Sequence, residues 1–359
     1  MADAIRPEQV LEVLRRIQDP DLHKDIVELG FVKDLRISGG DVDFAIELTT
    51  PACPVKEQME NQARELVAAV PGVRGVQVRM TSQVRSMSTA ERPELPGVKN
   101  LVAVASGKGG VGKSTVAVNL ALALHQDGAK VGLLDADIYG PSIPIMMGTR
   151  EAPPGFNANQ ILPVQAHGLA MMSVGFLAGK EAPVIWRGPM VHKMVSQFLS
   201  SVAWGELDYL VIDLPPGTGD AQLTLTQSAP LSGAVIVTTP QDVALEDVYR
   251  GVRMFEQVKV PILGIVENMS YFTCRSCGHR EEVFDHGGGR RAAAKYEVPF
   301  LGEVPIYAEI RAAGDRGVPI VVADPKSKAA EAFRSIARAT AAQLSTRAFE
   351  GAKRPVIKF

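Results

Sequence analysis

Residues 101–124 read LVAVASGKGGVGKSTVAVNLALAL. Leu101 to Ala105 is an unbroken apolar run, the composition of a strand buried on both faces. Lys113 to His125 is long and apolar enough for a helix. Between them, Gly107-Lys108-Gly109-Gly110-Val111-Gly112-Lys113-Ser114 fits G-x-x-x-x-G-K-[ST] and runs on into Thr115. Strand, glycine-rich loop and helix in that order make a phosphate cradle. The glycines let the backbone curl until successive N–H groups face phosphate oxygens, and the helix N-terminus adds positive potential. Lys113 then neutralises the β and γ phosphates, and the Ser114 hydroxyl holds Mg²⁺.

The same apolar signature recurs at Val131–Leu134, Tyr209–Ile212, Ala234–Thr238 and Ile262–Val266. A helical pattern covers Leu245–Val258. Strands of this kind alternating with helices predict an α/β fold with a doubly wound, mostly parallel sheet over residues 98–359. Asp213 follows the strand YLVI, where a carboxylate can hold the hydration shell of Mg²⁺. The loop after it, LPPGTGD, offers N–H groups that can sense a γ-phosphate. Asp135 and Asp137 end the strand VGLL in LDADIYGPS. Asp135 is expected to contact Mg²⁺ or a water, the other reading of the two being exposed loop carboxylates.

Residues 1–85 have a different texture. Pro7–Ile17 places Val10, Val13, Leu14 and Ile17 on one helical face. Phe31–Ile37 and Val42–Leu48 alternate around Gly39-Gly40, a hairpin pattern. A helix over Val55–Val70 and a strand over Gly75–Met80 complete a small αββαβ domain. Residues 86–97, SMSTAERPELPG, read as a linker.

The formal net charge is −2, from 38 basic and 40 acidic residues, so no long-range field favours nucleic acid or an acidic membrane. No apolar run reaches the roughly 18 residues of a membrane span, and the first helix lacks the apolar core of a signal peptide. Three cysteines make a disulfide framework improbable and suit a reducing compartment, so the cytoplasm is the expected location.

Two of those cysteines, Cys274 and Cys277, form C-x-x-C in YFTCRSCGHR. Two thiolates at this spacing chelate one metal, but a closed site needs four ligands. A symmetric dimer supplies them, with two copies of the pair meeting on a two-fold axis. The residues alone leave three readings open: a bridging iron–sulfur cluster, a Cys₄ zinc site and a dithiol redox pair.

The string GKGGVGKST resembles the deviant Walker A ATPases, which include the cell-division-site and plasmid-partitioning ATPases and the nitrogenase iron protein. That resemblance implies an ATP-dependent homodimer in which Lys108 reaches across to the partner's nucleotide. It implies that Asp137 orients the attacking water, that Asn268 hydrogen-bonds the adenine and that Pro240 lines its pocket. With DADIYGPSIP, VIWRGPM, YLVIDLPPGTGD and ENMSYFTCRSCG following in order, the chain is similar to the Mrp/ApbC family of iron–sulfur cluster carrier ATPases. The small domain, with DPDLHKDIVELG and LTTPACP, resembles the SufT/PaaD-like iron–sulfur assembly domain, in which Cys53 takes the place of the motif cysteine. The resemblance implies ATP, Mg²⁺ and a [4Fe–4S] cluster bridging two subunits. Its implied partners are apo iron–sulfur proteins and cluster assembly factors, with no nucleic acid and no membrane. ATP binding and hydrolysis would control delivery of the cluster. The competing functions are a positioning ATPase with a structural zinc and an ATP-driven electron donor. No N-K-x-D signature for guanine is present, so ATP is expected over GTP.

Overall fold

The computed structural model of the protein describes all residues except 1–4, 88–94, 139, 150–152, 154, 158–159, 177–187, 218, 275 and 353–359. Trp186 and Arg187 of the VIWRGPM motif therefore lie outside the described residues.

The first residues fold as their periodicities require. Helix α1 (Pro7–Leu14) buries Val10 and Leu14; β1 (Val32–Ser38), β2 (Asp41–Leu48), α2 (Lys56–Ala68) and β3 (Gly75–Ser82) follow. β1 and β2 pair antiparallel, and β2 and β3 pair parallel from Asp41↔Gly75 to Leu48↔Ser82. Val42, Phe44 and Ile46 alternate onto the covered face of β2, against Met59, Ala63 and Val67 of α2. The αββαβ order expected from the sequence is the order observed.

The larger unit contains β4 (Val98–Ala105), α3 (Lys113–Gln126), β5 (Val131–Asp135), α4 (Ile143–Met146), β6 (Phe156–Asn157), β7 (Gln160–Ile161), β8 (Val164–Ala166) and β9 (Leu169–Ser173). It continues with α5 (Gly188–Ser201), β10 (Leu207–Asp213), α6 (Asp220–Ser228), β11 (Gly233–Thr238), α7 (Asp242–Gln257), β12 (Ile262–Thr273) and β13 (Arg280–Glu281). The last elements are α8 (Gly288–Lys295), β14 (Phe300–Ile306), α9 (Ala308–Asp315), α10 (Ile320–Ala323) and α11 (Lys328–Ala352). Among the described residues, nine strands form one sheet in the order β13-β12-β11-β4-β10-β5-β9-β8, with β14 also paired to β12. The interior pairs are parallel; β13 and β8 are antiparallel additions at the ends of this order. β4 lies between β10 and β11, so the chain turns to one side for β5 and to the other for β11. The crevice beyond the carboxyl end of β4 is thus the switch point where such sheets bind ligands. Helix α3 starts there and is buried continuously from Val116 to Leu124, which is why it is apolar all round rather than amphipathic.

Strands β8, β9 and β14 carry little signal of their own. LAMMS has no β-branched residue, and FLGEVPI is broken by Gly302 and Pro305. Parallel pairing of β14 with β12 and of β9 with β5 makes them strands. The boundary at the C-terminus also differs from the expected 98–359. The two compact units are Met1–Arg85 with Ala341–Phe359, and Ser86–Thr340. The end of α11 belongs with the small sheet, because Phe349 packs on that core and stacks under the Arg85 guanidinium, 5.3 Å from its ring centroid. No helix among the described residues is long and apolar enough to cross a membrane.

Candidate functional site: a phosphate-binding cavity and a cysteine turn

The loop from Ser106 to Gly112 leaves the end of β4 and enters α3. Ser106 Oγ donates to the Lys108 carbonyl at 2.9 Å, and the Gly217 N–H donates to the Ser106 carbonyl at 3.0 Å, joining this loop to the one after β10. Gly112, the residue before α3, has φ +79°, and a Cβ there would lie 2.2 Å from Asn268 Nδ2. Both the left-handed backbone and the close approach require glycine at this position.

At the start of α3, Lys113 Nζ lies 2.7 Å from Asp213 Oδ1 and 3.7 Å from Asp137 Oδ2. Ser114 Oγ donates to Asp213 Oδ2 at 2.5 Å. Residues from three separate stretches of chain are therefore joined in one network at the carboxyl ends of β4, β5 and β10. Burial pushes the Asp213 carboxyl up from its ordinary range, against the opposing pull of Lys113. Asp137 Oδ1 is buried and has no hydrogen-bond partner among the described residues. A buried carboxylate oxygen left over beside a lysine needs a water or a hydrated cation. The Ser114 hydroxyl and the Asp213 and Asp137 carboxylates are hard oxygen donors, so the donor set fits Mg²⁺ with its waters.

Asp135 behaves differently from the expected Mg²⁺ or water contact. It has 0% exposure and serves as an internal brace: its Oδ1 accepts the Asp137 N–H at 3.1 Å and its Oδ2 accepts the Ser173 hydroxyl at 2.8 Å. Burial, and then the neighbouring Asp213, raise its pKa to about 7. The fold favours the protonated form. Its stabilising contribution is complete below the ordinary carboxyl range and is lost as pH rises through about 7. Asp135→Asn should accordingly raise the melting temperature of the nucleotide-free protein, relative to wild type, more at about pH 8.5 than at about pH 5.5. Thermal melts of the two proteins at both pH values measure this, and an equal difference at both would refute it.

The network opens into a cavity of about 850 Å³. Lys108, Gly109, Gly110, Gly112, Lys113, Ser114, Thr115 and Asp137 line one part of it, and Asn268, Met269, Phe272, Pro305, Tyr307 and Ile310 line another. Polar donors thus face the phosphate position, and a mostly apolar wall faces the rest of any ligand. Lys108 makes no ion pair with a described residue, so its charge is available to the cavity. Two loop residues do not line the cavity: Val111 is buried, and Gly107 is packed against Asp247 of α7. Asn268 does line it, but its amide donates to the Val111 carbonyl at 2.8 Å, so it also holds the phosphate loop. Pro240 is a correction. It is not among the residues lining the cavity, and its carbonyl instead faces Gly288 at the start of α8. The apolar wall comes from the end of β14 and the start of α9, which the sequence reading missed. Its one legible signal was EVPIYAEI, a strand running into a helix at the same end of the sheet.

The cysteine pair stands just past the end of β12. Thr273 pairs with Arg280 and Phe272 with Glu281, so the chain reverses between them. The Cys274 N–H donates to the His279 carbonyl at 2.8 Å and the Gly278 N–H to the Cys274 carbonyl at 2.9 Å, which closes the turn. Cys274 is half-buried and Cys277 exposed. Hydrogen bonds from the backbone N–H of Cys277, then of Ser276, hold the Cys274 thiol below its ordinary range. That favours the thiolate, the form that ligates metals. Cys53, in the other unit, packs against the core of the small sheet.

The protein-family model described as NUBPL iron-transfer P-loop NTPase matches residues 97–341, and one described as iron–sulfur cluster assembly protein matches residues 7–79. The chain is similar to the iron–sulfur cluster carrier protein of Synechocystis sp., with 51% identity over 345 residues that cover 94% of this chain and 97% of the relative. Among solved structures it is similar to a nucleotide-binding protein from Archaeoglobus fulgidus in complex with ADP: identity 43%, TM-score 0.59, covering 67% of this chain and 93% of that one. It is also similar to the cell division ATPase MinD of Pyrococcus furiosus: identity 27%, TM-score 0.51, covering 67% and 97%.

Proposed function

We propose, since the chain belongs to the NUBPL iron-transfer P-loop NTPase family, that it carries iron–sulfur clusters to apoproteins and that ATP binding and hydrolysis control the delivery. The observation that carries this reading is the presence, in one unit, of a complete phosphate cradle and an accessible cysteine pair with a lowered thiol pKa. The resemblance to Mrp/ApbC carriers supports the same reading.

The cargo is a [4Fe–4S] cluster, held by Cys274 and Cys277 of two subunits. Each subunit contributes half of a Cys₄ set, so the cluster is complete only in a homodimer. Ligands split across a movable interface make release easy, which suits a carrier rather than a resident site. ATP occupies the cavity with its phosphates on residues 108–110 and 112–115 and its base against Pro305 and Tyr307. Ser114 and Asp213 hold Mg²⁺, which neutralises phosphate charge when bound. Asp137, with its unpartnered oxygen, orients water toward the γ-phosphate, and Lys108 reaches the partner's nucleotide. The protein acts in the cytoplasm, on apo iron–sulfur proteins and beside cluster assembly factors. The small domain, residues 1–85, works in the same assembly process, joined through 86–97 to an ATPase that extends from residue 98.

Transfer to an apo-enzyme that is active only with a [4Fe–4S] cluster tests this. Reconstituted carrier should restore acceptor activity, and Mg–ATP should change the rate. No transfer under either condition would end the carrier reading. ATP-coupled cycling of cluster oxidation state without transfer would assign an electron donor instead.

A further inference from the structure

Residues 269–274 and 276–285 form the two legs and turn of a hairpin that belongs to both sites. Its outgoing leg is the end of β12, with Met269 and Phe272. Its returning leg is β13 and the residues after it, with Val283 and Phe284. All four side chains line the same cavity as the phosphate loop. The turn between the legs carries Cys274 and Cys277. One side of the cysteine-bearing hairpin is therefore a wall of the nucleotide cavity.

The two feet of the hairpin share a conformation. Met269 has φ +55° and Asp285 φ +70°, the left-handed region that non-glycine residues adopt rarely and at a cost. Such residues persist where their surroundings hold them, and here the surroundings are clamped. Buried Glu267 accepts the Gly287 N–H at 3.0 Å on Oε1 and the Gly289 N–H at 2.6 Å on Oε2, which anchors one foot to the start of α8. Ser270 Oγ lies 2.6 Å from Glu267 Oε1 and 3.3 Å from Glu303 Oε2, and His286 Nε2 lies 2.9 Å from the same Glu303 oxygen. Glu267, His286 and Glu303 thus bolt the base together, with every one of these oxygens engaged. Just beyond the base, the β12–β14 register shifts between Asn268 and Phe272, so the pairing is irregular across this foot and resumes at Phe272↔Ile306. Asn268, at the same foot, holds the phosphate loop through the Val111 carbonyl.

We propose that this hairpin is a lever that reports the state of the nucleotide cavity to the cysteine pair, with Phe272 and Val283 as positioning residues. The inference rests on the carrier reading, because it assigns the regulation of that cargo site. A ligand that fills the cavity presses on Phe272 and Val283, and the hairpin turns about Met269 and Asp285 while its bolted base stays fixed. Phe272 is two residues from Cys274, about 7 Å along the strand, so a small rotation at the feet reaches the thiolates directly. Phe272 is half-buried and Val283 exposed on this wall, so a ligand in the cavity meets both side chains directly.

The test uses the full-length, cluster-free protein and measures alkylation of Cys274 and Cys277 by iodoacetamide, resolved by mass spectrometry, with Cys53 as the internal reference. Rates are taken without nucleotide and with Mg²⁺ and a non-hydrolysable ATP analogue, at saturation for each variant. Wild type should show a nucleotide-dependent change of about fivefold or more at the pair, the scale of an ordinary allosteric coupling. Phe272→Ala and, separately, the exposed-wall variant Val283→Ser should bring that factor close to one. Equal wild-type rates with and without nucleotide would overturn the lever. So would an undiminished factor in both variants, which would mean that dimer closure alone shields the cysteines. Iron and sulfide reconstitution of the same preparation keeps the two ideas separate. A protein that shows the lever effect and binds no cluster would sink the carrier function and leave the lever standing.

Discussion

Alanine at both Cys274 and Cys277 is expected to reduce bound iron from about four per dimer to background after anaerobic reconstitution with iron and sulfide, and to abolish the broad visible absorbance of the cluster. The physical argument is one of ligand count. A cubane needs four thiolates, each subunit presents two at this turn, and the double variant removes all four at once. The single variant Cys277→Ala leaves two thiolates per dimer and should lose nearly as much, since half a ligand set does not hold a cluster. The turn itself should survive, because its closing hydrogen bonds run through backbone atoms, Cys274 N–H to His279 and Gly278 N–H to Cys274. Metal analysis, absorbance and sedimentation on one sample decide the matter. A colourless wild type holding about one zinc per dimer would make the pair a structural site and remove the cargo from the proposal.

Lys113→Ala should lower ATP turnover by about 10²–10³-fold, the usual loss when a preorganised charge facing a transition state is removed. Lys113 is the cation inside this network, 2.7 Å from Asp213 and 3.7 Å from Asp137. Without it, the two carboxylates face the incoming phosphates with no side-chain cation beside them in the network. Both acids are buried, so the variant should also lose stability: breaking one partner out of a buried pair typically costs about 3–5 kcal/mol. Protonation of Asp213, already favoured by burial, will offset part of that cost. Turnover measured with phosphate release, beside a thermal melt of the same sample, separates lost chemistry from lost fold. Turnover within tenfold of wild type would mean that Lys113 only braces Asp213 and that another group neutralises the phosphates.

The parts of this protein that were legible in its sequence are those whose geometry is built by neighbours along the chain. The phosphate loop is one: a strand, a curl of glycines and a helix N-terminus occupy a single stretch, so Lys113 and Ser114 could be assigned roles from spacing alone. The αββαβ unit and the C-x-x-C turn are legible for the same reason, since periodicity and a two-residue gap are local properties. Asp213 needed only one further step, its place at the end of an apolar strand.

What sheet order decides was not legible. β12 and β14 are separated by α8 in sequence yet pair side by side, and only that pairing puts Pro305, Tyr307 and Phe272 around one cavity. The same holds for Asp135: its spacing resembles that of a ligand, but Ser173 from the neighbouring β9 takes its second oxygen and turns it into a brace. Pro240 sits at a strand end like a pocket residue, and the start of α8 covers it instead. The end of α11 is amphipathic and would suit several partners; Phe349 settles on the small sheet. The link between the cysteine turn and the nucleotide cavity is the furthest from the sequence. It depends on which face of a hairpin meets which wall, and burial and hydrogen bonds between residues distant in the chain determine that.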